Sequence, residues 1–114
     1  MTKIEEVEEF QKDIKKIKFD LTKDLELFKK SLLAEYPKVL VGVVPISGLG
    51  DKIYPVYKAR KFRCKAINRG SKSGIRIIYT VDRSRDTILL MEIYFKSKKE
   101  DHNTDRIKKY AIKK

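Results

Sequence analysis

Apolar positions recur every three or four residues along the first third of the chain. Ile4, Val7, Phe10, Ile14, Ile17, Leu21, Leu25, Phe28 and Leu32 make one stripe, the period of a helix face packed on a core. Asp20 or Thr22 is placed to cap a second helix, Asp24 suits its first turn, and Pro37 closes it. The pattern predicts two helices, about 9–18 and 21–35, folded as a hairpin. Residues 3–8 fit a short opening strand as well as a helix start. Residues 37–52 carry Pro37, Gly42, Pro45, Gly48 and Gly50 and read as loop.

Beyond residue 54 the period becomes two. Residues 54–67 are rich in β-formers, 68–74 are a polar Gly/Ser turn, 75–81 alternate, 82–86 turn again, and 87–95 form a third strand. On the last strand Leu89, Met91, Ile93 and Phe95 share one face, read as the core side. Glu92 and Tyr94 share the other with Lys96. Arg76, Ile78 and Thr80 share a face of the middle strand. Lys58 and Arg60 share one on the first, where Arg63 and Lys65 have opposite parity unless a bulge intervenes. Asp101 is placed to cap a basic helix over about 101–112. The expected architecture is α+β: two N-terminal helices on a small antiparallel sheet, with a short C-terminal helix. One sheet face packs on the helices, and the other is basic and open.

The length of 114 residues and a hydrophobic content of 41% suit one domain, 1–114, with one small core. The longest apolar run, 39–46, contains Gly42 and Pro45 and falls far short of the ~20 residues of a bilayer span. No apolar segment of the signal-peptide kind follows Met1. One Cys excludes an intrachain disulfide and fits a reducing compartment. These features predict a cytoplasmic protein with no membrane partner.

Charge changes the picture most. The net charge is +12, and its distribution is uneven. Residues 1–51 hold nine Lys and ten acids, whereas 52–114 hold nineteen Lys/Arg and six acids. From Lys58 to Arg76 there are eight basic residues (Lys58, Arg60, Lys61, Arg63, Lys65, Arg69, Lys72, Arg76) and no acid. An acid-free stretch on strands points to a polyanion, nucleic acid before membrane, bound through counterion release. Membrane-surface binders usually present a basic amphipathic helix instead. The plain alternative is a charged surface that serves solubility.

Other chemistries find little support. Gly48-Leu49-Gly50 lacks the third Gly and the Gly-Lys-Ser/Thr of a phosphate loop. One His and one Cys do not complete a structural zinc site. No serine triad, nucleotide-hydrolysis or redox pattern is visible, and no cofactor is expected. His102 opens a polar helix and reads as solvated. Cys64 reads as a buried thiol.

Three stretches carry a resemblance. Pro55-Val56-Tyr57-Lys58-Ala59-Arg60-Lys61-Phe62-Arg63-Cys64-Lys65, then Ser73-Gly74-Ile75-Arg76-Ile77-Ile78-Tyr79, then Ile93-Tyr94-Phe95-Lys96 together resemble the RelE/ParE superfamily of type II toxins. Phe10-Gln11-Lys12-Asp13-Ile14-Lys15-Lys16-Ile17 is similar to that family's opening helix. The resemblance implies a β-α-α-β-β-β fold with a terminal helix, which favours a strand at 3–8. It implies a cytoplasmic toxin neutralised by a cognate antitoxin, in a toxin–antitoxin hetero-oligomer. The RelE branch enters the ribosomal A site and cuts mRNA; the ParE branch inhibits DNA gyrase.

The RelE branch implies a ribosome-dependent endoribonuclease. Metal-free RNA cleavage needs a 2′-hydroxyl lined up on its own phosphate, charge stabilisation, and two proton transfers. By resemblance Arg76 matches the catalytic Arg and would clamp the phosphate. Lys58 and Arg60 match the basic pair that holds the mRNA backbone, with Lys58 a candidate base. Lys96 stands near a second basic catalytic position, where the family often has Arg. Some branches use a carboxylate base, which makes Glu92 a candidate; the alternative for Glu92 is a salt bridge to a nearby Lys or Arg. Tyr94 is placed to stack on a base. Arg63, Lys65, Arg69 and Lys72 extend the RNA-binding surface. Tyr79 has the opposite parity to Arg76 and reads as core. Two other readings stay open: a ParE-like gyrase inhibitor, and a non-catalytic basic RNA-binding module of the same fold.

Overall fold

A computed structural model describes residues 2–60, 62, 74–99 and 101–113. The chain runs β1 (Lys3–Glu6), α1 (Glu8–Lys16), α2 (Thr22–Glu35), β2 (Val43–Pro45), β3 (Val56–Ala59), β4 (Ile75–Asp82), β5 (Thr87–Phe95) and α3 (Thr104–Tyr110). The strands form one sheet in the order β1-β5-β4-β3-β2. β2 to β5 pair antiparallel, and β1 enters parallel to β5. The α+β architecture expected from the sequence is present, with two additions.

The first addition is the direction of the opening strand that the resemblance favoured: it runs parallel to β5. Residues 3–6 take the strand option, with Lys3 opposite Thr87 and Glu6 opposite Leu90. Helix α1 follows only after Val7, whose N–H closes onto Leu90 C=O at 3.1 Å. The second is β2, inside the segment read as loop. It is three residues long and sits at the sheet edge, where Pro45 is tolerated because no neighbour needs its missing donor. The hairpin helices begin and end close to the expected positions, and Asp20 Oδ1 accepts the N–H of Thr22 at 3.0 Å. Of the strand expected at 54–67, Val56–Ala59 is strand, while Lys61 and 63–73 lie outside the described residues.

One expected facing is corrected. The pairing runs Tyr79 to Leu90 but Ile78 to Glu92, so Met91 is an extra residue in β5. A bulge of this kind resets the side-chain parity. Leu90, Ile93 and Phe95 therefore share a face with Tyr79, Ile77 and Ile75, whereas Leu89 falls on the face of Glu92 and Tyr94. Ile93 and Phe95 keep the expected side; Leu89 does not.

The helix hairpin covers the first face. Leu32 and Tyr36 share a crevice with Tyr57, Tyr79 and Val81. Phe10, Leu25, Phe28 and Leu32 are buried with Ile75, Ile77 and Leu90 in one apolar cluster. Tyr79 is core, as its parity predicted, and burial raises its phenol pKa.

The second face is not open along its length. Ile78 and Glu92 are 0% and 2% exposed. The C-terminal segment lies against this face because α3 has its own apolar side to bury, with Ile107 and Ala111 inside. Its end is fastened by an isolated bridge between Ile53 and Ile112 and by Tyr54 N–H on Ala111 C=O at 2.7 Å. Asn103, rather than Asp101, caps α3: its side chain accepts the N–H of Arg106 at 3.0 Å. Asp101 stands too early in the chain, and its carboxylate is used elsewhere.

Candidate functional site

Register assembles the site. Lys58 pairs with Ile78, and Ile78 with Glu92. Arg76, two residues before Ile78, pairs with Tyr94. Cross-strand partners share a face, so Lys58, Arg76, Glu92 and Tyr94 converge on the sheet face opposite the helix hairpin. Four of the residues singled out from the sequence are thus brought together.

Each is held differently. Lys58 Nζ is 3.1 Å from Asp101 Oδ1, with its side chain largely covered. Arg76 Nη1 donates to Arg60 C=O at 3.1 Å and, more loosely, to Ile75 C=O at 3.4 Å. Arg60 therefore supports Arg76 through its backbone, while its own side chain is exposed. Tyr94 lies among the charges. Burial pushes its phenol up to about 12, Glu92 and Asp101 push the same way, and Arg76 opposes them. The ammonium of Lys99 stands 5.6 Å from the centre of the Tyr94 ring, within cation–π range.

Glu92 is a buried carboxylate with both oxygens engaged. Oε1 accepts Asn103 N–H at 2.8 Å, and Oε2 is in close contact with Lys99 Nζ. The ion pair weighed from the sequence is the one present. Its effect is to fasten Lys99 and Asn103 to the sheet.

That fastening changes the surroundings of His102. Read as solvated, its side chain is only 14% exposed. The turn at 101–103 is pinned on both sides, by Asp101 to Lys58 and by Asn103 to Glu92. Nδ1 lies 2.7 Å from Asp101 Oδ1, at an angle that makes no hydrogen bond. Nδ1 is buried without a hydrogen-bond partner among the described residues. The Asp101 carboxyl is held below its ordinary value by the His102 N–H and by Lys58.

Lys96 stands apart. The strand ends at Phe95 and Lys96 begins an exposed turn. Its backbone N–H closes the sheet on Gly74 C=O at 2.9 Å. Among the described residues its ammonium makes no ion pair. Arg63, Lys65, Arg69, Lys72 and Cys64 lie outside the described residues.

Four residues escaped the sequence reading. Arg106 Nη1 is 2.7 Å from Asp13 Oδ2 and donates to Met91 C=O at 3.0 Å. Asp13 Oδ2 also accepts Ile93 N–H at 3.2 Å. Together they satisfy the edge of β5 where β1 stops. Lys99 and the Asp101 carboxylate complete the set around Glu92 and Lys58. These contacts join residues seven to 93 positions apart, and no local pattern marks them. The one sequence signal is Asp13, the lone acid between Lys12, Lys15 and Lys16.

The arrangement offers two fixed cations, a neutral phenol, and a carboxylate beside the chain's single imidazole. Such a face can hold a phosphodiester and neutralise charge on it.

Solved structures share this fold. A metal-bound toxin from Helicobacter pylori superimposes with a TM-score of 0.60 at 22% identity, covering 87% of this chain and 99% of that one. The archaeal RelE–RelB complex from Pyrococcus horikoshii gives 0.54 at 14% identity, over 81% and 91%. An arginine-to-alanine double mutant of E. coli toxin RelE in the free state gives 0.52 at 18%, over 87% of each chain. No family profile matches the chain, and no curated protein matches it in sequence. At these identities the likeness is one of fold: the chain has the RelE-like toxin fold.

Proposed function

We propose that the chain is the toxin of a type II toxin–antitoxin system and cleaves mRNA on the ribosome. The observation that carries this reading is the convergence of Arg76, Tyr94 and Lys58 on one sheet face. The RelE-like fold supports it.

The chemistry needs no metal. The 2′-oxygen of one nucleotide attacks the adjacent phosphorus, and the bond from phosphorus to the next 5′-oxygen breaks. One proton leaves the 2′-hydroxyl and one reaches the departing oxygen, leaving a 2′,3′-cyclic phosphate and a 5′-hydroxyl. Arg76 carries the charge that builds on the phosphate. Lys58 and Arg60 hold the RNA backbone, with Lys96 and the basic residues Arg63, Lys65, Arg69 and Lys72 extending that contact. Tyr94, protonated to high pH, donates a hydrogen bond or stacks on a base. His102 brings an imidazole beside Asp101 and Lys58, and we assign it to the proton transfers. Glu92 serves this site by positioning Lys99 and Asn103. The partners are the ribosome with its mRNA and a cognate antitoxin protein, and the place is the cytoplasm. The Pyrococcus structure is itself a complex of RelE with RelB, which supports the antitoxin.

A reconstituted translation system with one defined mRNA tests the proposal. Addition of the purified chain is expected to give fragments with cyclic-phosphate ends only when ribosomes are present. Intact mRNA, with inhibition of DNA gyrase in a parallel supercoiling reaction, would favour the ParE-like reading instead.

A further inference from the structure

An exposed carboxylate stands on a face that otherwise suits a polyanion. Glu92 is buried and paired with Lys99, so it presents little charge. Asp101 differs: its side chain is 68% exposed, against 19% for Lys58, whose ammonium it holds. The His102 N–H, and then Lys58, keep its carboxyl below the ordinary value, so it is an anion at neutral pH. Arg76 leans instead on the neutral carbonyls of Arg60 and Ile75. Among the described residues no carboxylate pairs with it.

The contacts of Asp101 run through one oxygen. Oδ1 lies 3.1 Å from Lys58 Nζ and accepts the His102 N–H at 2.9 Å. His102 Nδ1 is 2.7 Å from the same atom without being aligned to donate to it. That oxygen marks the point where an ammonium, a backbone N–H and an imidazole edge meet. A phosphate oxygen at the same point would take the same two donors, both of kinds that hold nucleic-acid phosphates.

The exchange is easy. An ion pair with an exposed partner is weak and screened by salt. Lysine is a compact point charge that accepts an anion from many directions. Turning the Asp101 side chain from one staggered position to another clears the point. The turn itself need not move, because Asn103 N–H stays on Glu92 Oε1 at 2.8 Å.

We propose that Asp101 is a resident counterion: its carboxylate fills a phosphate site made by Lys58 Nζ and the His102 N–H, and an RNA phosphate displaces it. One carboxylate thereby sets how tightly the face takes RNA. It also keeps the ammonium and the imidazole arranged around an anion before RNA arrives. The site rests on the cleavage reading for its ligand and adds the residue that competes with that ligand. A mere support of the turn would weaken RNA binding when lost, whereas a competitor strengthens it.

The test is fluorescence-anisotropy binding of the full chain to a labelled 2′-O-methyl oligouridine, whose blocked 2′-oxygens cannot attack. Asp101→Asn keeps an acceptor for the His102 N–H and removes the charge. It should fold as the parent does and bind about threefold or more tightly. In a Lys58→Met background the same change should bring no gain, because the competition runs through that ammonium. The chain has a single histidine, so its NMR ring signals are unambiguous, and RNA should move them together with the His102 amide. Equal or weaker binding by Asp101→Asn, while the parent binds, would overturn the proposal and leave the cleavage reading standing. So would an equal gain in the Lys58→Met background, which would make Asp101 a plain repulsive charge, or RNA-induced shifts that spare His102. Failure of the parent to bind RNA even at low salt would overturn both readings together.

Discussion

Arg76 and Tyr94 face each other across β4 and β5, and the guanidinium restrains the rise in the tyrosine's pKa that burial causes. The pair places a fixed cation next to a phenol that stays protonated. Arg76 is anchored by the Arg60 carbonyl, and its own side chain is only half-buried. Arg76→Ala should therefore leave the fold intact, with a Tm close to the parent's. Cleavage should fall on the order of 10²-fold or more, as when a donor to developing charge is removed. Single-turnover rates beside circular dichroism melts separate the two effects.

Tyr94 should remain neutral through the working pH range. With its pKa near 12, an ultraviolet titration should show one fewer late-ionising phenol in Tyr94→Phe than in the parent. Activity in that variant should fall without a change in the shape of the pH profile between 6 and 9, about the physiological titration range. Loss of a basic limb in the profile would mean that Tyr94 titrates during catalysis.

Arg106 and Asp13 should matter to stability rather than to the chemistry. Their side chains are 16% and 13% exposed, and they close two peptide groups at the β5 edge. Arg106→Met leaves the Asp13 carboxylate unpaired and Met91 C=O without its donor. Such losses cost about 2–4 kcal/mol, readable as a lower urea midpoint. An unfolding free energy within a few tenths of a kcal/mol of the parent's would show the edge to be satisfied in another way.

Glu92→Ala should lower stability by about 1–3 kcal/mol, because Asn103 N–H loses a buried acceptor. It should also loosen residues 101–103, seen as faster amide exchange there. Glu92→Gln retains an acceptor for Asn103 and should recover most of the loss. If Glu92→Gln folds normally and yet abolishes cleavage, Glu92 acts as a base rather than as a support.

Glu9 gives a pH signature. The Tyr110 hydroxyl, and then its own backbone N–H, lower its pKa from 4.5 to about 2. A depressed folded-state pKa adds stability above the unfolded value and loses it as pH falls through the folded one. The Glu9 contribution is thus complete above about pH 4.5 and gone below about pH 2. Tyr110→Phe should flatten the stability curve in that window and change it little at neutral pH beyond a constant offset. Parallel curves for the two proteins would refute the coupling.

The parts legible in the sequence were those written in local period. The hairpin stripe from Phe10 to Leu32 and the alternation of β4 gave helices and strands close to their observed limits. Parity within each strand put Glu92 with Tyr94 and Arg76 with Ile78, but only the register between strands brings Lys58, Arg76, Glu92 and Tyr94 onto one face. What stayed hidden depended on contacts between distant segments. Met91 looks like any strand residue, yet as a bulge it turns Leu89 to the other side. The burial of Glu92 and His102 follows from a C-terminal segment folding back, held by Asn103 and Asp101. Asn103 caps α3 because the helix begins at Thr104, while Asp101, two residues too early, holds Lys58 from 43 residues away.

The most direct test of the account is mapping of mRNA 5′ ends in a bacterial host shortly after induction, with Arg76→Ala as the control. The account predicts new 5′ ends inside translated frames, dependent on translation and absent in the variant. Growth arrest without such ends, or the same ends in Arg76→Ala, would contradict it.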